Sequence, residues 1–149
     1  MALDPVVNFG KVTASTGYSA GATSVVLTAG QGAVLPQPST AGAFNLVWWN
    51  STDYGDPSGD PNVEIVRVTA RSTDTLTVTR AQESTTASTK NTAGKTYSFI
   101  LAPTAKMITD VGSAITAAGL WSVGVSGGQT VIGGTGPTDS LKLQSTSGV

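Results

Sequence analysis

Up to about residue 101 the chain alternates short apolar-polar runs with clusters of Gly, Pro, Ser and Asn. The clearest run is Thr75-Leu76-Thr77-Val78-Thr79, where Leu76 and Val78 share one face and the three Thr the other. That period of two marks a half-buried antiparallel strand. Val63 to Ala70 is its hairpin partner, across a turn at Arg71-Ser72-Thr73-Asp74. Phe9 to Ser15 and Thr23 to Thr28 form two earlier strands. Phe44-Asn45-Leu46-Val47-Trp48-Trp49 places Phe44, Leu46 and Trp48 on one face and Asn45, Val47 and Trp49 on the other. Large groups on both sides predict a strand covered on both faces. Thr96 to Leu101 alternates again, with Tyr97, Phe99 and Leu101 together. About six short strands with Gly/Pro turns predict an all-β fold, a small antiparallel barrel or sandwich, over residues 1–102.

The pattern changes at Pro103. Residues 104–118 have helical character and Gly119 supplies a stop, so the helical segment is bounded as 103–119. Ile108 and Ile115 are seven apart, and Val111 and Ala118 interleave with them in heptad spacing. Two readings stay open: a trimer interface built from Ile108, Val111, Ile115 and Ala118, and a single helix packed on the β domain. Residues 120–149 are Gly-rich with short apolar runs between, too little to bury a core alone. They read as the start of an extended β shaft completed by neighbouring chains. Ser147-Gly148-Val149 closes no element, which suits a longer natural chain.

Composition removes much chemistry. With 0 Cys and 0 His there is no thiol nucleophile, no Ser-His-Asp triad and no thiolate or imidazole zinc site. Charged residues are only 11%, so Ser, Thr and Gly carry the polar surface. The 8 basic residues are scattered and the formal net charge is -1, which offers no nucleic-acid footprint. No stretch approaches the roughly 20 apolar residues of a membrane span. The start, Met1-Ala2-Leu3-Asp4-Pro5, is not a secretory signal, so synthesis is expected in the cytoplasm.

The remaining candidates are weighed one by one. Asp53, Asp56, Asp60 and Glu64 crowd a Pro/Gly loop, but their spacing is not that of a calcium loop, and acids there serve turns and caps. Glu64 and Glu83 are the one pair that invites a hydrolase reading. Cross-strand ion pairing accounts better for Glu64, Arg67, Arg71 and Arg80. Trp49 and Tyr54 are the candidate docking surface. Trp48 and Trp49 are adjacent on a strand and must point to opposite faces, so at most one joins a shared platform for a sugar or a protein. Asn50-Ser51-Thr52 matches a glycosylation acceptor only at chance level, and Gly127-Gly128 and Gly133-Gly134 lack the ending of a phosphate loop. No catalytic residue, cofactor or metal is assigned.

Glu64-Ile65-Val66-Arg67-Val68-Thr69-Ala70, followed by Asp74-Thr75-Leu76-Thr77-Val78-Thr79-Arg80-Ala81-Gln82-Glu83, resembles a module of tailed-bacteriophage virion proteins, as does Val25-Val26-Leu27-Thr28-Ala29-Gly30-Gln31-Gly32-Ala33. The likeness covers about residues 9–110. The related pattern reads Arg-Gly-Gln-Glu-Gly-Thr where this chain has Ala81 and Ser84 in place of the glycines. The resemblance implies a non-enzymatic virion protein, the anchoring module of a tail fibre or head fibre. Its partners would be other virion proteins of tail or capsid and two further copies in a homotrimer, with neither nucleic acid nor membrane. Any host-surface glycan would be met by sequence beyond residue 149. A capsid decoration or cement protein, and a carbohydrate-binding β module, are the alternatives.

Overall fold

A computed structural model describes residues 3–15 and 17–117. Its strands are β1 (Lys11–Thr13), β2 (Ser24–Val26), β3 (Phe44–Asn50), β4 (Glu64–Ser72), β5 (Thr75–Gln82) and β6 (Tyr97–Ile100). A four-residue helix, α1 (Pro38–Ala41), precedes β3, and α2 (Ala105–Ala117) follows β6. The strands form one sheet in the order β1-β6-β3-β4-β5-β2, every neighbour antiparallel. The sheet curls into a half-barrel, and its two edges touch at an Ala14–Leu27 bridge. There Thr28 N–H donates to the Thr13 carbonyl and Ser15 N–H to that of Val26, both at 2.8 Å. The expected all-β fold with one following helix is therefore present, and the expected shaft start at 120–149 lies outside the described residues.

Alternation explains the core. Val66 and Val68 from β4, Leu76 and Val78 from β5, Phe44, Leu46 and Trp48 from β3 and Tyr97 and Phe99 from β6 turn into the curl. Thr77 and Thr79 face water, as the period-two pattern predicts. Trp48 stacks on Phe99 at 4.5 Å between ring centroids, and Tyr18 meets it edge-on at 5.7 Å. Both faces of β3 are covered, since Asn45 and Trp49 are buried behind the core residues.

The hairpin turn is tighter than the sequence suggests. Pairing continues to Ser72 and Thr75, which leaves Thr73-Asp74 alone at the tip, with Thr73 at φ 51. The reason lies outside the hairpin. The Asp74 carboxylate accepts from the N–H groups of Gly30 (2.9 Å) and Gly32 (2.7 Å), bonds that hold its carboxyl below the usual range. A Cβ at Gly32 would lie 1.9 Å from the Thr73 carbonyl oxygen, so the tip and the 30–32 loop close on each other only with glycine there.

β5 also runs three residues past its expected end at Thr79, because the pairing slips between Ile65 and Arg67. The slip is a bulge, and it turns Arg80 inward. Ala81, Glu83 and Ser84 then all take left-handed backbone, with φ of 55, 50 and 65. Two of these three are the positions where the resembled pattern carries glycine.

Candidate functional site

Two clusters of charge lie on opposite faces of the curled sheet. Inside, Glu64 shares the inward face of β4 with Val66 and Val68 and is fully buried. Arg80 donates to both its oxygens, at 2.7 and 2.6 Å, and the N–H groups of Ala81 (3.0 Å) and Ser88 (3.3 Å) add to them. Burial alone would raise the Glu64 carboxyl, but the Arg80 fork and these two N–H groups hold it lowered. Lys90, fully buried, donates to the Asn62 carbonyl and to Ser88 Oγ. Its desolvation pushes its ammonium below the ordinary lysine range. The Arg80 and Lys90 cations lie 4.9 and 5.8 Å from the centre of the Trp48 ring. This cluster fastens the long 83–96 connection to the barrel end. Glu64 has no open side from which a substrate could reach it.

Glu83 lies with Asn45, on the other face. Its Oε1 accepts from Asn45 Nδ2 at 2.7 Å and its Oε2 from the Lys106 N–H at 2.9 Å, so a carboxylate meets the first turn of α2. Glu64 and Glu83 thus serve separate networks rather than one acid–base pair. Arg67, opposite Asn45 in the β3–β4 register, was expected to pair across strands. Its partner is instead Asp4, sixty-three residues away in sequence, bound through both guanidinium nitrogens at 2.9 and 3.0 Å. Lys106 approaches the same carboxylate at 3.4 Å and also pairs with Asp110. Arg71 donates to the carbonyls of Pro36 and Thr73 rather than to an acid. Of these four residues, Glu64 and Arg80 form the cross-strand pair that the sequence suggests.

The two elements over this outer face turn their polarity the unusual way round. At about 100° per residue, Ile108 and Ile115 lie opposite Lys106 on α2, with Val111 beside them. Asp110 is buried and Met107 and Ala114 are half-buried, while Ile108 is 67% and Val111 41% exposed. Ile115 is half-buried, and Ala118 lies outside the described residues. An ordinary surface helix buries its apolar stripe. The segment before β1 follows suit. The Asp4 side chain is 3% exposed, yet Leu3, Val6 and Phe9 point outward, Phe9 almost completely.

The proposed docking pair fares differently. Trp49 is only 2% exposed, because the other face of β3 is covered: Lys11 lies 5.4 Å over its ring and the indole N–H donates to the Tyr54 carbonyl at 3.1 Å. Its ring is therefore closed to a partner in this chain. Tyr54 is half-buried and lines a polar cavity of about 230 Å³ with Asn50, Asp53, Asp60 and Asn62. The acids of this loop are already engaged. Asp53 pairs with Lys95, Asp56 accepts from Ser58, and buried Asp60 accepts from the N–H groups of Asn50 and Asn62 at 2.8 Å each. Among the described residues, no group of three acidic side chains is placed to hold a metal ion.

No protein-family model matches this chain, and no curated protein matches it.

Proposed function

We propose that this chain is a non-enzymatic structural module of a tailed-phage particle, which associates through α2 as a trimer and anchors a fibre to tail or capsid. The observation that carries the reading is the orientation of α2. Its charged side chains are spent on Asp4 and on each other through Lys106 and Asp110, while exposed Ile108 and Val111, with half-buried Ile115, stand at heptad spacing for a partner. β-branched residues at successive core positions suit three strands. The likeness of the β4–β5 hairpin to phage virion modules supplies the particle, and left-handed Ala81 and Ser84 suit the glycines of that pattern.

Light scattering on the isolated chain tests the association. The expected mass is that of a trimer, and Ile108→Asp with Ile115→Asp reduces it to a monomer that still melts cooperatively as a β domain. A wild-type chain that stays monomeric at high concentration sinks the trimer. Electron microscopy of particles carrying a labelled chain then tests the anchoring role. Density at the base of a fibre supports it, and density spread over the capsid lattice replaces it with decoration.

A further inference from the structure

We infer that the segment around Asp4 is an exchangeable strap: in the assembled form its carboxylate occupies the Arg67–Lys106 cradle of a second copy of this chain. The inference rests on the association proposed above. Three observations lead to it.

The first is that the cradle is built as a receptor for a carboxylate. Arg67 presents both terminal nitrogens to Asp4, is held by the Asn45 amide oxygen (3.0 Å) and the Ala43 carbonyl (3.1 Å), and is joined by Lys106. A forked guanidinium fixed by neutral acceptors is preorganised for one acidic side chain, whichever chain supplies it.

The second is that the strap, although Pro5 and Val7 are half-buried, leaves its other apolar side chains open within one chain. Leu3, Val6 and Phe9 recur every third residue and are 49%, 64% and 96% exposed. Among the described residues of one chain, these three side chains are left largely to water.

The third is a strained joint between strap and barrel. Phe9 holds φ 59, and the next residue but one, Lys11, donates its N–H back to the Phe9 carbonyl at 2.7 Å. A bulky residue rarely adopts this conformation. Swinging the strap to a neighbour returns Phe9 to extended backbone and keeps every ion pair of the cradle. Exchange of an identical element between protomers is a low-cost route to an oligomer for that reason.

Isotope mixing distinguishes the two arrangements. Equal amounts of nitrogen-15 and unlabelled chain are unfolded together, refolded, and treated with a carbodiimide, which joins the Asp4 carboxylate to the Lys106 amine as an amide with loss of water. Mass spectrometry then reads the Asp4–Lys106 cross-linked peptide from the trimer fraction. Exchange predicts that about half of these peptides join one labelled and one unlabelled strand of sequence. A trimer whose cross-links are all of a single isotope overturns the exchange and leaves the association standing. Absence of a trimer overturns the association, and the exchange with it. The Ile108→Asp, Ile115→Asp chain serves as the monomer reference and gives single-isotope cross-links alone.

Discussion

Ala81 and Ser84 carry strain that ordinary side chains do not tolerate well. The left-handed region costs a residue with a Cβ about 1–2 kcal/mol, and glycine removes that cost while losing about half of the gain to unfolded-state entropy. Ala81→Gly and Ser84→Gly are each expected to raise stability by about 0.5–1 kcal/mol, read as a higher urea midpoint at unchanged slope. The turn departs from the resembled pattern at these two positions. The departure was legible in the sequence, but the backbone angle was not, because nothing in Ala or Ser announces it. The bulge beside them decides where Arg80 points. Arg80→Met strands a buried carboxylate and is expected to cost about 3–5 kcal/mol. Adding Glu64→Gln should recover a good part, and a double-mutant cycle that shows simple additivity would deny the pair its role.

Asp4 gives a pH signature. The Arg67 hydrogen bonds lower its carboxyl against the opposing effect of burial, with Lys106 adding to the lowering. A depressed folded value means that its contribution is complete above the ordinary carboxylate range and lost as pH falls through the lowered value. Wild type should therefore outlast Asp4→Asn in denaturant at pH 7, and the gap should close on acidification. A gap independent of pH would place the effect in packing rather than charge. Asp4 was invisible as a partner beforehand, since sequence periodicity says nothing about contacts between residues so far apart along the chain.

Among the elements, the strongly periodic ones were the legible ones. Leu76 and Val78 alternate with three Thr, and the structure buries the first two. Val78→Asp should abolish the folded state, while Thr77→Lys leaves the melting temperature within a few degrees, and equal effects would put the strand in the wrong register. The helical character of α2 and the stripe of Ile108, Val111 and Ile115 were legible from heptad spacing and from Pro103, while Ala118 lies outside the described residues. Which side of α2 meets the sheet does not, because Lys106 and Asp110 become an inward face only once Asp4 and Arg67 are beside them. Trp49 shows the converse: its face was readable, but Lys11 and the Tyr54 carbonyl that cover it come from other segments. At the hairpin tip, Gly32→Ala should cost more than any surface change, since a carbonyl oxygen of the backbone occupies the space a methyl would need. Native-like melting of that variant would show that the 30–32 loop can move away from Asp74.

At the scale of the molecule, among the described residues, the curl of the sheet brings its two edge strands together. β1 and β2 have three residues each, and they meet through Ala14 and Leu27 while the Gln31 side chain accepts the Thr13 N–H. Short edges that are mutually covered discourage pairing with another sheet. The proposed association falls to the outer elements, and this separates two thermodynamic behaviours. The β domain buries its core within one chain, so its unfolding should be indifferent to dilution. On the proposed association, helix α2 gains order from a second copy bound at its stripe, and mass action should then make its midpoint rise with protein concentration. Heating a dilute sample should lose helical ellipticity first and the near-ultraviolet signal of Trp48 later, with the interval between them narrowing as the sample is concentrated. With the association as proposed, such a chain would remain single in a cell while scarce and assemble once abundant, a threshold set by an apolar stripe on a helix of about 3.6 residues to the turn.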